Sequence, residues 1–516
     1  MNQRPKIARI AGVMMPLFSM RTRTDAGIGD IAALRTMVDL AAAMGHRGIL
    51  LLPVDETTPG EASPYSALSL FAIDPIYIGL DGLTGVTPDA VAGVRRALEH
   101  VAPSERVTIR AARLELLEAA ARYFTAHGDE RAAVDDFAAR NRGWLDDYAL
   151  FRALKDRFNF AAWEQWPDEL RRRELGAIDR ARAELAGPIG KYVYWQFLAH
   201  RQWAKVRTYA RVRQVLLGGD LAFSPGRDSA EVWTNQELFD LERTVGAPPD
   251  GFNPHGQHWG LPAPRWERIR AGGFALLRQR TRYSRELYDF IRVDHVVGLY
   301  RTFSFGLAPK TDGRFSPAAE PEQRAQGEAA LGAILDEAGE MIVVAEDLGV
   351  IPPFVRASLS ALGVAGYKVM RWEKVHEGTP AEELLSPADY PELSLATTGT
   401  HDTDTLAEWW EEAPADERAR VLRVLALAPA AEGGAEVAFD KVRDAMLAAL
   451  YAAPSRLVII PIQDLFGWRE RINLPGTVGP DNWSWRLPLA IEDMTNDPAL
   501  AARLAQLRAM IVRTGR

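Results

Sequence analysis

Continuous apolar runs that alternate with helical stretches predict an α/β fold, and within that class they favour a closed (β/α)8 barrel, the TIM-barrel architecture. Runs without polar alternation are typical of strands covered on both faces, as in a parallel sheet. They recur through most of the 516 residues, with helical segments between them. The nearest approach to a glycine-rich phosphate fingerprint, AGIGD at 26–30, lacks the required spacing. This argues against a doubly wound nucleotide-binding sheet.

The predicted strands follow one another along the whole chain. The stretch IARIAGVMMPLF at 7–18 is predicted as the first strand, because it breaks at Pro16 and lacks the cleavage site of a signal peptide. Seven further strands are predicted in GILLLPV at 48–54, QVLLGGDLAF at 214–223, FIRVDH at 290–295, MIVVAED at 341–347, GYKVMRW at 366–372, SLATTGTHD at 394–402 and RLVIIPIQD at 456–464. Helices are predicted between them, for example from Glu322 to Ala338 and from Ala415 to Leu427.

Residues from about 85 to 200 differ from this pattern. They are rich in Ala, Arg, Glu and Leu, and their apolar residues recur at helical spacing. We therefore expect a helical insertion subdomain that packs against the barrel, with additional loop subdomains. The absence of a repeat or a flexible linker predicts a single barrel domain over residues 1–516.

Composition excludes several classes of function. The chain has 61 basic and 69 acidic residues and a net charge of −8, so no basic surface is expected for nucleic acid or an anionic membrane. It has no cysteine, which excludes disulfides, thiolate nucleophiles and cysteine-bound metals. We find no run long and apolar enough to span a bilayer, and we expect a cytoplasmic protein.

Three acids stand at the ends of predicted strands. Asp294 ends FIRVDH, Glu346 ends MIVVAED, and Asp402 follows SLATTGTH. Counted along the chain, they belong to barrel strands 4, 5 and 7, and the carboxyl ends of all barrel strands meet at one rim. One such acid is readily explained as a solvated strand end. Three carboxylates on one rim repel each other, so gathering them there costs free energy. A shared function explains this arrangement better than three separate solvated strand ends.

Paired carboxylates at one rim suit glycoside chemistry. One carboxylate attacks or shields an oxocarbenium-like carbon, and a protonated one donates to the leaving oxygen. Arg292 lies two residues before Asp294, so on a strand both side chains point to the same face, and the guanidinium would keep Asp294 ionised. Glu346 and its neighbour Asp347 remain alternatives for the proton donor on these grounds. We find no spacing typical of metal ligands and expect no metal or cofactor.

The sequence resembles the 4-α-glucanotransferases, or amylomaltases, of glycoside hydrolase family 77 in the α-amylase superfamily. The resemblance is carried by RVDHVVGL at 292–299, AEDLG at 345–349 and GTHDTDT at 399–405. Further similar blocks occur in the family's order: SPYSALSLFAIDPIYI at 63–78, DSAEVW at 228–233, PPDGFNPHGQHWG at 248–260, QDLFGWRERINLPGT at 463–477 and NWSWR at 482–486. The resemblance covers the chain from about residue 16 to the C-terminus.

The resemblance implies a role for each matching residue. Asp294 would be the nucleophile, Glu346 the general acid/base, and Asp402 the transition-state stabiliser. The residues expected to bind substrate or orient the acids are Arg292, His401, His295, Asp228, Tyr65, Trp259 and Gln257. The partners it implies are an α-1,4-glucan donor and glucose or a malto-oligosaccharide as acceptor.

Two alternatives remain open on the sequence alone. One is an α-glucan hydrolase of the same superfamily, and the other is a non-catalytic carbohydrate-binding barrel. The chain also departs from the family where LPAPRW follows Trp259 and Gly260, so that Leu261 stands where the family has a polar residue. Such departures affect the prediction of acceptor preference and of the ability to form cyclic glucans. They do not affect the predicted type of reaction. Oligomeric state, preferred glucan length and the metabolic pathway are not indicated.

Overall fold

The computed structural model describes residues 8–249, 256–307, 312–379, 381–427, 437–477 and 479–516. Its centre is an eight-stranded parallel sheet. In chain order its strands are β1 (Ile10–Met14), β2 (Gly48–Leu50), β3 (Leu216–Leu221), β4 (Phe290–Val293), β5 (Ile342–Ala345), β6 (Gly366–Val369), β7 (Ser394–Thr397) and β8 (Leu457–Pro461). Each of the eight lies within one of the apolar runs predicted as strands.

The sheet curls into a nearly closed barrel. Strands that are neighbours in the sequence pair with each other except β5 and β6, which form the two edges of the sheet, and β8 returns to pair with β1. Between β5 and β6 a parallel bridge joins Val344 to Ala365, and the Ala345 amide donates to the Ala365 carbonyl at 2.8 Å. The predicted (β/α)8 barrel is confirmed.

The pairing of β3 with β4 depends on two adjacent glycines. A Cβ atom at Gly218 would lie 2.1 Å from the ring of Phe290, and one at Gly219 would lie 2.3 Å from the ring of Tyr288. Since these distances are far below van der Waals contact, only glycine admits both rings against the strand. The resulting register sets Asp220 beside Arg292, near the carboxyl ends of the two strands.

Helices cover the outside of the barrel and fill the long connection between β2 and β3. The α-helices are Ile31–Ala43, Pro88–Leu98, Arg106–His127, Arg131–Arg157, Asp168–Arg171, Leu175–Glu184, Ala186–Val212, Ala230–Thr234, Trp266–Ala271, Ala275–Leu287, Val297–Tyr300, Glu320–Ala338, Pro353–Leu362, Leu406–Glu412, Ala415–Val424, Phe439–Ala452, Ile462–Phe466, Ile491–Met494 and Pro498–Arg513. Short 3-10 helices are Leu17–Ser19, Pro75–Tyr77, Trp163–Gln165, Gln236–Leu238 and Pro387–Asp389. Among the described helices, none is long and apolar enough to cross a membrane.

Two predicted helices differ slightly in their ends. The first begins at Glu320 rather than Glu322, with Pro321 in its first turn, where the missing N–H of proline costs no hydrogen bond. The second ends at Val424 rather than Leu427, because Ala426 adopts a left-handed conformation with φ of 54°.

A second sheet stands over the barrel near β3 and β4. Its four antiparallel strands are Phe239–Ala247, Gln257–Pro264, Thr302–Gly306 and Arg314–Ser316. A two-stranded ribbon, Lys374–Val375 with Glu383–Leu384, follows β6. The second sheet carries Gln257 and Trp259 to the rim where the three acids lie.

Candidate active site

Asp294 and Glu346 are held at neighbouring strand ends by a shared backbone ladder. The Glu346 amide donates to the Val293 carbonyl at 2.9 Å, and the Val296 amide donates to the Glu346 carbonyl at 3.2 Å. Between them His295 turns the chain with φ of 46°, an uncommon conformation for a residue with a side chain. The two carboxylates are therefore fixed by the ends of β4 and β5 rather than by a free loop.

Arg292 connects the acids of three strands. Its Nη1 atom lies 2.7 Å from Asp294 Oδ1 and 2.7 Å from Asp220 Oδ2, and its Nη2 lies 3.8 Å from Glu346 Oε2. The contact with Asp294 is the one that the two-residue spacing predicts. Burial works against the cation, but the charges of Asp220 and Asp294 raise the pKa of Arg292 well above its ordinary value. A permanent positive charge thus faces Asp294.

Glu346 is the acid whose environment favours the protonated form. Its carboxylate accepts hydrogen bonds from the amides of His295 at 2.9 Å and Leu348 at 2.8 Å, which fix its orientation. Burial raises the pKa of Glu346 to about 7; the charge of Asp294 adds to the rise, and Arg292 opposes it. A carboxyl group with this pKa can both donate and accept a proton near neutral pH.

Asp347, the alternative proton donor, is engaged elsewhere. Its Oδ1 accepts the Tyr367 amide at 2.7 Å, and its Oδ2 lies 3.4 Å from Arg356 Nε. Successive side chains along a strand point to opposite faces. Asp347 therefore points toward β6 and the helix Pro353–Leu362, while Glu346 faces Asp294. The geometry favours Glu346.

Asp402 lies on the loop after β7 and keeps its charge through two neighbours. Asn473 Nδ2 donates to its Oδ1 at 2.6 Å, and His401 Nε2 lies 3.2 Å from its Oδ2. Burial would raise the pKa of Asp402, but His401 and Asn473 together hold it at about 2. In turn, Asp402 outweighs burial and raises the pKa of His401. Asp402 is thus an anion at any physiological pH, and 45% of its side chain is exposed.

Aromatic rings flank the acids on both sides. Tyr65 stacks on His401 with ring centroids 5.4 Å apart, and Trp483 lies 5.9 Å from Tyr65. The Tyr65 hydroxyl donates to Asp220 Oδ2 at 2.7 Å, which joins this wall to the acid cluster. On the other side Trp259 meets His295 edge to face at 4.8 Å. Such surfaces suit the flat faces of sugar rings.

Comparisons with known proteins agree with this geometry. A family model described as 4-alpha-glucanotransferase, glycoside hydrolase family 77, matches residues 15–491. The chain belongs to this family. A 4-alpha-glucanotransferase of Thermus thermophilus is 33% identical, over 86% of this chain and 88% of its own length. One of Chlamydia pneumoniae is 30% identical, over 94% of this chain and 92% of its own.

Solved structures agree as well. An amylomaltase of Streptococcus agalactiae, determined in complex with acarbose, superimposes with a TM-score of 0.84 at 26% identity, covering 98% of this chain and 99% of that one. The amylomaltase of Corynebacterium glutamicum has the same fold, with a TM-score of 0.82 at 24% identity. The resemblance carried by the sequence motifs is confirmed, and the protein is a 4-α-glucanotransferase acting on α-1,4-glucans.

In this 4-α-glucanotransferase the contacts of Asp228 are with the helical insertion. Its Oδ2 lies 2.5 Å from Nζ of the fully buried Lys155, and its Oδ1 accepts the Trp163 amide at 3.1 Å. These contacts tie the end of the β3 loop to the helical insertion. A role for Asp228 in substrate binding, which the motif resemblance implied, is not supported by its position.

Gln257 contacts Trp259, which lies two residues further along the same strand. Its Oε1 accepts the Trp259 indole N–H at 3.1 Å, so it orients the ring that meets His295. Residues 250–255 of the block PPDGFNPHGQHWG lie outside the described residues.

Three residues of the site were missed from the sequence: Asp220, Asn473 and Trp483. Asp220 could have been found, because an acid within the apolar run QVLLGGDLAF requires a buried partner. Trp483, with φ of 60°, and Asn473 come from loops far along the chain. Both lie inside blocks that resemble the family, QDLFGWRERINLPGT and NWSWR, but no local pattern of residue types marks their approach to the rim.

A metal site was not expected from the sequence. Within the part of the chain that the structure describes, no group of three or more histidines and acids is arranged to hold a metal ion.

Proposed function

We propose that Asp294, Glu346 and Asp402 carry out a retaining double displacement on α-1,4-glucans. The observation that carries this proposal is the bridge made by Arg292, 2.7 Å from Asp294 and 3.8 Å from Glu346, together with the pKa of about 7 at Glu346. An ionised carboxylate beside a protonated one is the pairing that this chemistry requires.

In the first step Asp294 attacks the anomeric carbon from the face opposite the leaving chain. The bond to the glycosidic oxygen breaks, and Glu346 transfers its proton to that oxygen. A glycosyl-enzyme ester forms, and one shortened glucan leaves. Attack of this kind requires the two carboxyl groups to lie about 5–5.5 Å apart.

In the second step an acceptor takes the place of the departed chain. Glu346, now ionised, removes the proton from the acceptor's 4-hydroxyl, and the oxygen attacks the anomeric carbon. The ester bond to Asp294 breaks, and an α-1,4 linkage is restored. Asp402, ionised throughout, would bind hydroxyl groups of the distorted sugar and stabilise positive charge at the ring.

Transfer rather than hydrolysis requires that a sugar reaches the intermediate before water does. The rings of Tyr65, Trp483 and Trp259 border the acids and offer surfaces on which an acceptor can stack. We propose an α-1,4-glucan as donor and glucose or a malto-oligosaccharide as acceptor. The binding of acarbose by the Streptococcus agalactiae amylomaltase supports a site for a chain of sugars.

We also propose that the 516 residues act as one barrel domain, with the helices at about 85–200 as an insertion. The ion pair between Lys155 and Asp228, which joins that insertion to the β3 loop, supports this division. The cytoplasmic location stays a prediction from the sequence.

Incubation with maltotriose tests the proposal. We expect a ladder of products both shorter and longer than the substrate. Shortened products alone would indicate a hydrolase, and an unchanged substrate would indicate a binding protein. The Asp294→Asn variant, which keeps the size of the side chain, should form no ladder and should remain folded by circular dichroism.

A further inference from the structure

A largely apolar cavity of about 240 Å³ lies beside the barrel, apart from the sugar cleft. Its walls come from the loop after β3, the helix Ala275–Leu287 and the base of the second sheet. The apolar residues that define it are Phe223, Phe239, Trp266, Leu276 and Leu299. Phe223 separates it from the active site, because the ring of Phe223 packs edge to face on His295 at 5.4 Å.

The cavity is large enough for a small organic molecule. An apolar cavity of about 150 Å³ suffices to bind benzene in another protein. The Trp266 indole N–H already donates to Thr302 Oγ1 at 2.8 Å, so this ring offers the cavity only an apolar surface. A sugar would leave most of its hydroxyl groups unpaired here, which makes a glucan a poor occupant.

Arg280 gives the apolar cavity a charged end. Its side chain lines the cavity and is only 4% exposed, and one of its nitrogens donates to the Ala222 carbonyl. Burial lowers the pKa of Arg280, and the charges of four nearby acids oppose that fall without accepting a hydrogen bond from it; these acids are Asp55, Glu231, Asp220 and Asp294. A guanidinium with donors to spare is suited to bind a carboxylate in two parallel hydrogen bonds.

Ser224 provides a buried hydroxyl group on the same wall. It lines the cavity and is 4% exposed, and its hydroxyl has no hydrogen-bond partner within the described chain. Of the other polar residues, Glu237 is exposed, and Asn235 already donates to the Glu231 carbonyl at 2.8 Å. An unpaired buried hydroxyl is costly unless something binds it.

We propose that this cavity is a binding site for a small carboxylic acid with an apolar body, such as a medium-chain fatty acid. The carboxylate pairs with Arg280 and accepts from Ser224, and the hydrocarbon part fills the space between Phe239, Trp266 and Leu276. The site is distinct from the sugar cleft and goes beyond the glucan transfer proposed above.

Calorimetric titration with octanoate tests this site. We expect octanoate to bind the wild-type protein, and 1-octanol, which has the same length without the charge, to bind about tenfold more weakly. Arg280→Met removes the cation and should weaken octanoate binding at least about tenfold. Leu276→Trp fills the cavity and should abolish octanoate binding while maltotriose is still converted at the wild-type rate.

A matched control is present on the same helix. Arg282, which is half exposed and pairs with Glu337, does not line the cavity, so Arg282→Met should bind octanoate as the wild type does. If Arg280→Met does not fold, Leu276→Trp still tests whether octanoate binds in this cavity. The comparison with 1-octanol still tests whether binding requires the carboxylate. No octanoate binding, equal binding by Leu276→Trp, or equal binding of 1-octanol would each overturn the proposal.

Discussion

Arg292 and Asp220 face each other across β4 and β3, with Arg292 Nη1 lying 2.7 Å from Asp220 Oδ2. The Asp220 side chain is fully buried, and the same oxygen accepts the Tyr65 hydroxyl. Arg292 therefore divides its charge between a buried partner and the partly exposed Asp294. We interpret Asp220 as a positioning residue, since it fixes the guanidinium that faces the nucleophile.

Replacing Asp220 by asparagine should slow the reaction without preventing folding. The amide keeps the shape of the side chain but removes its charge, so Arg292 pairs more closely with Asp294 and weakens it as a nucleophile. We expect kcat on maltotriose to fall by roughly tenfold to a hundredfold, about 1.4 to 2.7 kcal/mol in the barrier, with little change in KM. Asp228→Asn is the control: it should lower Tm and leave kcat close to wild type.

The rate of transfer should decline above neutral pH. Burial raises the pKa of Glu346 to about 7, so the group is protonated below that pH and loses its proton as the pH rises through it. We expect kcat/KM to fall by about tenfold per pH unit on the alkaline side. A profile that stays level from pH 6 to about 9 would contradict this role for Glu346.

Glu346→Gln and Asp347→Asn should separate the two neighbouring acids. Glu346→Gln should lose about a hundredfold to ten-thousandfold of activity on maltotriose, yet still cleave α-maltosyl fluoride, whose leaving group needs no proton. Asp347→Asn should remain active and lose at most about 1 kcal/mol of stability, because its amide oxygen can still accept the Tyr367 N–H and only the charge that pairs with Arg356 is removed. The reverse pattern would assign the proton transfer to Asp347.

Trp483 should affect acceptor capture more than bond cleavage. Its ring lies 5.7 Å from that of His401 and forms one side of the cleft. Transfer conserves the number of reducing ends, whereas hydrolysis adds one per event. In Trp483→Ala we therefore expect the ratio of newly formed reducing ends to transfer products to rise several-fold during maltotriose turnover, because water competes better for the intermediate. Trp483→Phe keeps a ring and should lie close to wild type. Unchanged product ratios in Trp483→Ala would exclude this role.

The sequence predicted the barrel because each of its strands is a continuous apolar run. Such a run can be recognised from neighbouring residues alone, without knowledge of the tertiary contacts. It also predicted the contact between Arg292 and Asp294, which depends only on the period of a strand. It named Asp228 and missed Asp220, although an acid inside the apolar run QVLLGGDLAF indicates a buried partner. That this partner is Arg292 depends on the register of β3 against β4, and the contact of Asp228 with Lys155 depends on the packing of the insertion. Neither of these is a local pattern.

The most direct test is to identify the residue that carries the sugar. Glu346→Gln treated with α-maltosyl fluoride should accumulate a maltosyl-enzyme, since the first step needs no acid and the second lacks its base. Peptide mass spectrometry should place the maltosyl group on Asp294, and Asp294→Asn introduced into the same variant should carry none. Labelling of Asp220 or Asp402 instead, or turnover without any labelled peptide, would contradict the assignment of Asp294 as nucleophile.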